Sequence, residues 1–362
     1  MPEPLNIVKD KVRALQAYSL SPARAGVKLN QNENPWDAPP EIRSETLRRL
    51  NERPWSRYPD FHARALHECL AESAGWKADG IIAGNGSNEL IQALLMVTVG
   101  SGTRVLISEP TFALYRQITT VLGGEVISVP LNSELTYDGE ALRGAIESAS
   151  PQVTIICSPN NPTGCVIDRR ELESLLEATR GLIVIDEAYH EFSGQTVVPL
   201  LRQYPKLIVL RTFSKAMAMA GLRVGYLLAA PELAQEIAKA VLPYNLNVVS
   251  QTAAQVAVEM YESKLKPFVN LICAERDRVY ERLKEIKGLE PVPSRGNFML
   301  VRSAMSPRMV FKELLQRDIL IRDVSAYPML GDYFRISVGT PEENDQLLAA
   351  LREIFGSIEA SL

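Results

Sequence analysis

The sequence lacks any uninterrupted apolar run approaching the roughly 18 residues that a bilayer-spanning helix requires. It also lacks a basic block: 39 Lys and Arg are set against 43 Asp and Glu, for a formal net charge of -4. That balance argues against a chain built to follow a nucleic-acid backbone. The opening residues, MPEPLNIVKDKVRAL, do not have the charged-then-apolar layout of a signal peptide, so a cytoplasmic location is expected. Histidine is scarce, and His62, His67 and His190 are too scattered for a His-based metal site; no metal is expected. Cysteine is nearly as rare. Cys69, Cys157, Cys165 and Cys273 form no C-x-x-C pair and read as reduced, small hydrophobic residues. Internal repeats and low-complexity linkers are absent too.

What remains is ordinary globular material, 46% hydrophobic and 23% charged, over 362 residues. That length suffices for one large core and a smaller second unit. Residues 1–40 carry a short helical pattern around Val8 to Leu15, then KLNQNENPWDAPP, whose Asn, Pro and Asp content marks a loop or extended arm. From Ile81, short apolar runs alternate with helical segments at 111–122, 138–149 and 168–180. The runs are Ile81–Ala83, Arg104–Ser108, Gly124–Val129, Val153–Cys157, Leu182–Asp186, Leu207–Leu210 and Val224–Ala229. Several are apolar on both faces, which predicts an α/β fold with a mostly parallel, doubly wound central sheet. After Pro243 come long helical stretches, then NFMLVR, ILIRD and YFRISVG around a helix near 307–316, the pattern of a smaller α+β domain. The expected division is an arm at 1–40, a large α/β domain at 41–245 and a small domain at 246–362.

In such sheets ligands gather at the carboxyl ends of the strands, and the polar candidates cluster there. Gly86, Ser87 and Asn88 follow the first apolar run and open a helix. This suits an anion, although simple capping by Ser87 or Asn88 explains the same residues. Asn160 and Asn161 lie in SPNNPTG, while Asp186 ends a buried run and is followed by Tyr189. The stretch LIVLRTFSKAMAMAGLRVGY adds Ser214, Lys215 and Arg223. Lys215 alone reads as part of a solvated surface loop. Together the groups suit a phosphorylated aldehyde, pyridoxal 5'-phosphate. Lys215 would meet the aldehyde and Asp186 would keep the ring nitrogen protonated. Asn161 and Tyr189 would donate to the phenolic oxygen, and Phe112 would stack on the ring. Gly86, Ser87, Asn88, Ser214 and Arg223 would hold the phosphate. A serine–lysine hydrolase on Ser214-Lys215 leaves Asp186 and Asn161 without a task. A non-catalytic cofactor-sensing regulator needs a DNA-binding segment, for which 1–40 is too short and insufficiently basic.

NENP at 32–35, GNGSNE at 84–89, PNNPTG at 159–164, DEAY at 186–189 and RTFSKAMAMAGLRVGY at 211–226 resemble the fold-type I aminotransferases. Within them, the likeness is greatest to the histidinol-phosphate aminotransferase branch, and it runs from the NENP arm to FRISVG at 334–339. The resemblance implies that Lys215 is the cofactor-binding lysine and proton-transfer base. It also implies a homodimer with shared sites, Tyr58 reaching the phosphate of the neighbouring subunit's cofactor. Arg322 and Arg335, helped by Tyr18, would bind the anionic end of the substrates, an amino phosphate and a keto acid. Asn88 and Phe112 depart from the family's more usual Asp and Tyr. Branches acting on aromatic amino acids or decarboxylating threonine phosphate share the scaffold.

Overall fold

The computed structural model describes residues 3–17 and 22–359. The arm supplies β1 (Val27–Lys28). Next come β2 (Ile81–Gly84), β3 (Arg104–Glu109), β4 (Glu125–Pro130), β5 (Val153–Cys157), β6 (Leu182–Asp186), β7 (Leu207–Thr212) and β8 (Gly225–Leu228). The remaining strands are β9 (Leu289–Pro291), β10 (Phe298–Ser303), β11 (Ile319–Leu320), β12 (Arg322–Asp323) and β13 (Tyr333–Ser337). The second group forms one seven-stranded sheet in the order β2-β8-β7-β6-β5-β3-β4. Only β8 runs antiparallel to its neighbours; the other pairs are parallel. The fold is therefore α/β with a mostly parallel central sheet.

The alternation of side chains along a strand explains the two-sided core. Ile156, Ile183, Ile185, Leu207 and Val209 pack into one cluster; Val153, Ile155, Val184, Ile208 and Leu210 pack into another. Helices cover both faces, two of them started by aspartates. Asp138 accepts from the Ala141 N–H and Asp168 from those of Arg170 and Glu171, satisfying amides that no helical carbonyl can reach. The helix Val248–Glu259, which follows the expected division at 245/246, packs Ala253, Ala254, Val256 and Ala257 into the same cluster as Ile42 and Leu66. A π-helical turn, Tyr261–Leu265, then leads into Lys266–Lys284.

Beyond it, β12-β13-β10-β9 form an antiparallel sheet. Strand β1 of the arm pairs with β11, so Val27 and Leu29 share a core with Met299, Val301, Ile336 and Leu347. The helical pattern at Val8–Leu15 is realised only as a 3-10 turn, Glu3–Ile7, and a single helical turn, Asp10–Arg13. That helical turn buries no side chain, and so short a helix has little to hold it without packing.

One buried ion pair braces the sheet beneath its carboxyl edge. The Arg211 guanidinium donates to Glu187 Oε2 at 2.9 Å, and Glu187 also accepts from Thr196 Oγ1 and the Val197 amide. Arg211→Ala would leave the Glu187 carboxylate buried without its cation. We expect a loss of about 3–5 kcal/mol in unfolding free energy, measured by denaturant titration.

Candidate active site

Register brings the predicted groups together. Across β5, β6 and β7, Cys157 lies opposite Asp186 and Asp186 opposite Leu210, so the residues after these strands share one edge. There the sheet, the arm and β12–β13 enclose a cavity of about 300 Å³. Ser87, Asn88, Phe112, Asn161, Asp186, Tyr189, Ser214, Lys215, Arg223, Arg322 and Arg335 all line it.

At one end is an anion cradle. Gly86 (φ +78°) precedes the helix Ser87–Thr98, and no side chain caps that helix. Its first amides and positive dipole end therefore remain available to an anion. The Arg223 guanidinium donates to Ser214 Oγ at 2.9 Å, and Ser214 Oγ also accepts from Thr212 Oγ1 at 3.0 Å. A Cβ on Gly86 would lie 2.5 Å from the Arg223 guanidinium, so position 86 needs glycine both for its φ and for this approach.

At the centre, Asp186 is buried. Its carboxylate accepts from the Tyr115 hydroxyl at 2.6 Å and the Ala188 amide at 3.0 Å. Burial nevertheless raises its pKa to about 6, because these donors only partly replace water. A buried carboxylate in this state favours a cationic partner. Lys215 Nζ donates to the Gln31 carbonyl at 2.9 Å. Burial lowers its pKa to about 7, and the Arg335 cation pushes in the same direction. The amine is thus poised between its charged and nucleophilic forms near neutrality.

On the other wall, the Arg335 guanidinium donates to Asn161 Oδ1 and, at 2.8 Å, to the Asn30 carbonyl. Arg322 stands directly opposite Arg335 in the β12–β13 ladder. Tyr189 is buried, its hydroxyl accepting from Asn32 Nδ2 at 3.1 Å. Phe112 is half-buried and edge-on to Tyr115. Tyr58 is not in this cavity: it is 79% exposed and stacks on Tyr244 with ring centroids 4.4 Å apart. Tyr18 lies outside the described residues.

Sequence reasoning missed Tyr115, Asn32 and Thr212. Tyr115 stands one helical turn beyond Phe112, a spacing that could have placed both over the same edge. In the sequence Asn32 reads as part of a loop and of the NENP motif, with no role of its own. Its left-handed backbone (φ 53°) and burial become visible only in three dimensions.

Residues 24–351 match the family described as aminotransferase class I and II. The chain is 37% identical over 351 residues to the histidinol-phosphate aminotransferase of Caldanaerobacter subterraneus subsp. tengcongensis, covering 97% of this chain and 99% of that protein. It is 39% identical over 350 residues to histidinol-phosphate aminotransferase 1 of Carboxydothermus hydrogenoformans, covering 96% and 98%. Among solved structures, the histidinol-phosphate aminotransferase of Sinorhizobium meliloti in complex with pyridoxal-5'-phosphate superposes with a TM-score of 0.87. The identity is 25%, with 97% of this chain and 98% of that one covered.

The lysine environment can be tested on the cofactor-free protein. Labelling of Lys215 by an amine-directed acylating reagent, followed by mass spectrometry, should show a reactivity midpoint near pH 7. Removing the neighbouring cation by Arg335→Gln should move that midpoint upward. A midpoint near that of exposed lysines in both proteins would refute the burial argument.

Proposed function

The chain belongs to the aminotransferase class I and II family, and from that membership we propose that it is a histidinol-phosphate transaminase acting in histidine biosynthesis. It would interconvert L-histidinol phosphate and 2-oxoglutarate with 3-(imidazol-4-yl)-2-oxopropyl phosphate and L-glutamate. The observation that carries this substrate choice is the Arg322–Arg335 pair on the wall away from the anion cradle. Histidinol phosphate has no α-carboxylate, so its phosphate would use the arginine site that glutamate's carboxylate occupies in the other half-reaction. Guanidinium groups suit both anions.

The family's cofactor is pyridoxal 5'-phosphate, and the residues present fit it. The cradle that tolerates no Cβ at Gly86 suits its phosphate, and the buried Asp186 suits a protonated ring nitrogen. When bound, this cofactor supplies an aldehyde that condenses with amines and a ring that withdraws electrons from the substrate carbon. The protein residues do the rest. Ser214, Arg223 and the helix amides would hold the phosphate. Asp186 would keep a proton on the ring nitrogen, oriented by Tyr115. Asn161, whose Oδ1 is taken by Arg335, presents Nδ2 as a donor, and Tyr189 would donate beside it. Phe112 would lie against the ring. Lys215 Nζ would accept the proton leaving the substrate carbon and return it to the cofactor side. Arg322 and Arg335 would orient the anionic end so that this carbon faces Lys215. Tyr18 would assist from the arm.

We further propose a cytoplasmic homodimer. Support comes from the exposed apolar side chains Trp55, Tyr58, Phe61 and Leu242, which a second copy would cover. Tyr58 would then reach the phosphate in the partner's site. Sedimentation at micromolar concentration should return twice the chain mass; a monomer would overturn the shared site.

Single-turnover titration separates the substrate branches. Histidinol phosphate should convert the cofactor-loaded protein faster than phenylalanine or threonine phosphate, and absence of turnover with it would refute the assignment. Arg322→Gln should weaken histidinol phosphate roughly 10- to 100-fold in kcat/KM, the effect of losing one charge-assisted hydrogen bond.

A further inference from the structure

Asn32 joins three parts of the chain: the arm, the loop after β6 and strand β13. Its side chain is buried, and every hydrogen bond around it has a defined direction. The Asn32 backbone amide donates to Ser337 Oγ at 2.8 Å. Ser337 Oγ accepts there and donates its own hydrogen to Asn32 Oδ1, 3.1 Å away, the acceptor it finds among the described residues. The reverse carboxamide orientation would leave the hydrogen of the buried Ser337 hydroxyl without an acceptor among the described residues, so Oδ1 faces the hydroxyl and Nδ2 faces the other way. Nδ2 lies 3.1 Å from Tyr189 Oη and can only donate. The Tyr189 oxygen is consequently an acceptor towards Asn32, and its hydrogen has no acceptor among the described residues. It is left to point into the cavity. Asn297 holds the same loop by donating from Nδ2 to the Asn32 carbonyl at 3.1 Å. The left-handed backbone of Asn32, which asparagine tolerates better than most residues, completes the placement.

We infer that Asn32 is a positioning residue: the relay Ser337–Asn32–Tyr189 sets the polarity of the Tyr189 hydroxyl so that it donates to the phenolic oxygen of the bound cofactor. The inference deepens the cofactor reading above and rests on it. A donor to that oxygen stabilises its negative charge, so the adjacent nitrogen holds its proton less tightly. Arg335, Asp186 and Cys157 act on Tyr189 as well, and Lys215 Nζ lies over its ring, which is why the test must isolate the Tyr189 hydroxyl from them.

Asn32→Asp keeps size and backbone tolerance but replaces the donor by an acceptor, so the Tyr189 hydrogen should turn away from the cofactor. The pH midpoint of the visible absorption of the cofactor-loaded protein should rise by roughly one unit, the scale of one hydrogen bond to a charged group. The new carboxylate could raise the midpoint by charge alone, and the Tyr189→Phe background separates the two effects. With the hydroxyl gone, Asn32→Asp should add little further shift. A full shift persisting in Tyr189→Phe would overturn the relay, as would an unmoved midpoint in the single variant. If Asn32→Asp fails to fold, Asn32→Ala carries the same cycle without added charge, with a smaller rise expected and the same two overturning results. Failure of the underlying cofactor reading would look different: the wild-type protein itself would take up no pyridoxal 5'-phosphate and show no visible band.

Discussion

The site depends on parallel strands ending side by side. Neighbouring strands are held about 5 Å apart by their hydrogen bonds, so residues that follow them are gathered at one edge whatever their separation in sequence. The ladder sets Asp186 beside Cys157 on one side and Leu210 on the other. Asn161 and Lys215, a few residues past the strand ends, then face the same cavity. Only β8 reverses direction, between β7 and β2, and this lets Arg223 return towards the helix start at Ser87. The proposed phosphate cradle thus arises beside the one antiparallel strand of the central sheet, and the proposed reactive groups beside the parallel ones.

Gathering ionisable groups at a closed edge has an electrostatic cost, which the chain distributes rather than removes. Glu187, one residue beyond Asp186, receives a full partner in Arg211 and serves the scaffold. Asp186 receives only neutral donors, from Tyr115 and Ala188, and its pKa rises to about 6. Adjacent carboxylates on one loop therefore carry different duties because their partners differ. Lys215 is treated like Asp186: its hydrogen-bond acceptor is a carbonyl, and burial with Arg335 nearby brings its pKa down to about 7. Asp186 and Lys215, which form no ion pair among the described residues, are two groups that the proposed chemistry requires.

Much of this was legible in the sequence. The two-sided apolar runs gave the sheet its mostly parallel character, and the polar residues beyond them were where ligands to such sheets belong. Lys215, Asp186, Asn161, Tyr189, Ser214 and Arg223 were each read from a strand end or its following turn, and all line one cavity. What could not be read were contacts whose meaning depends on a distant partner. Tyr115 looks like a core aromatic on an amphipathic helix until Asp186 is placed against it. Arg211 looks like a surface cation at the end of β7, although Glu187 buries it. The stretch KLNQNENPWDAPP reads as a loop or extended arm because the order at its start comes from β1 pairing with β11, about 290 residues on, which local composition does not encode.

The arm also explains why asparagine recurs there. The cavity already holds Lys215, Arg223, Arg322 and Arg335, so another charged side chain at its wall would disturb the Lys215 amine on which the proposed reaction turns. A carboxamide supplies a donor and an acceptor without charge, but it is useful only if its orientation is fixed. Arg335 fixes Asn161 by occupying Oδ1, and Ser337 fixes Asn32 in the same manner. Both constraints originate in β13, the strand that also presents Arg335 itself. A single strand of the small unit therefore orients an amide in the arm and an amide of the large sheet, both towards the cavity. Any movement of β13 relative to the central sheet would alter the proposed substrate site and the orientation of both amides together.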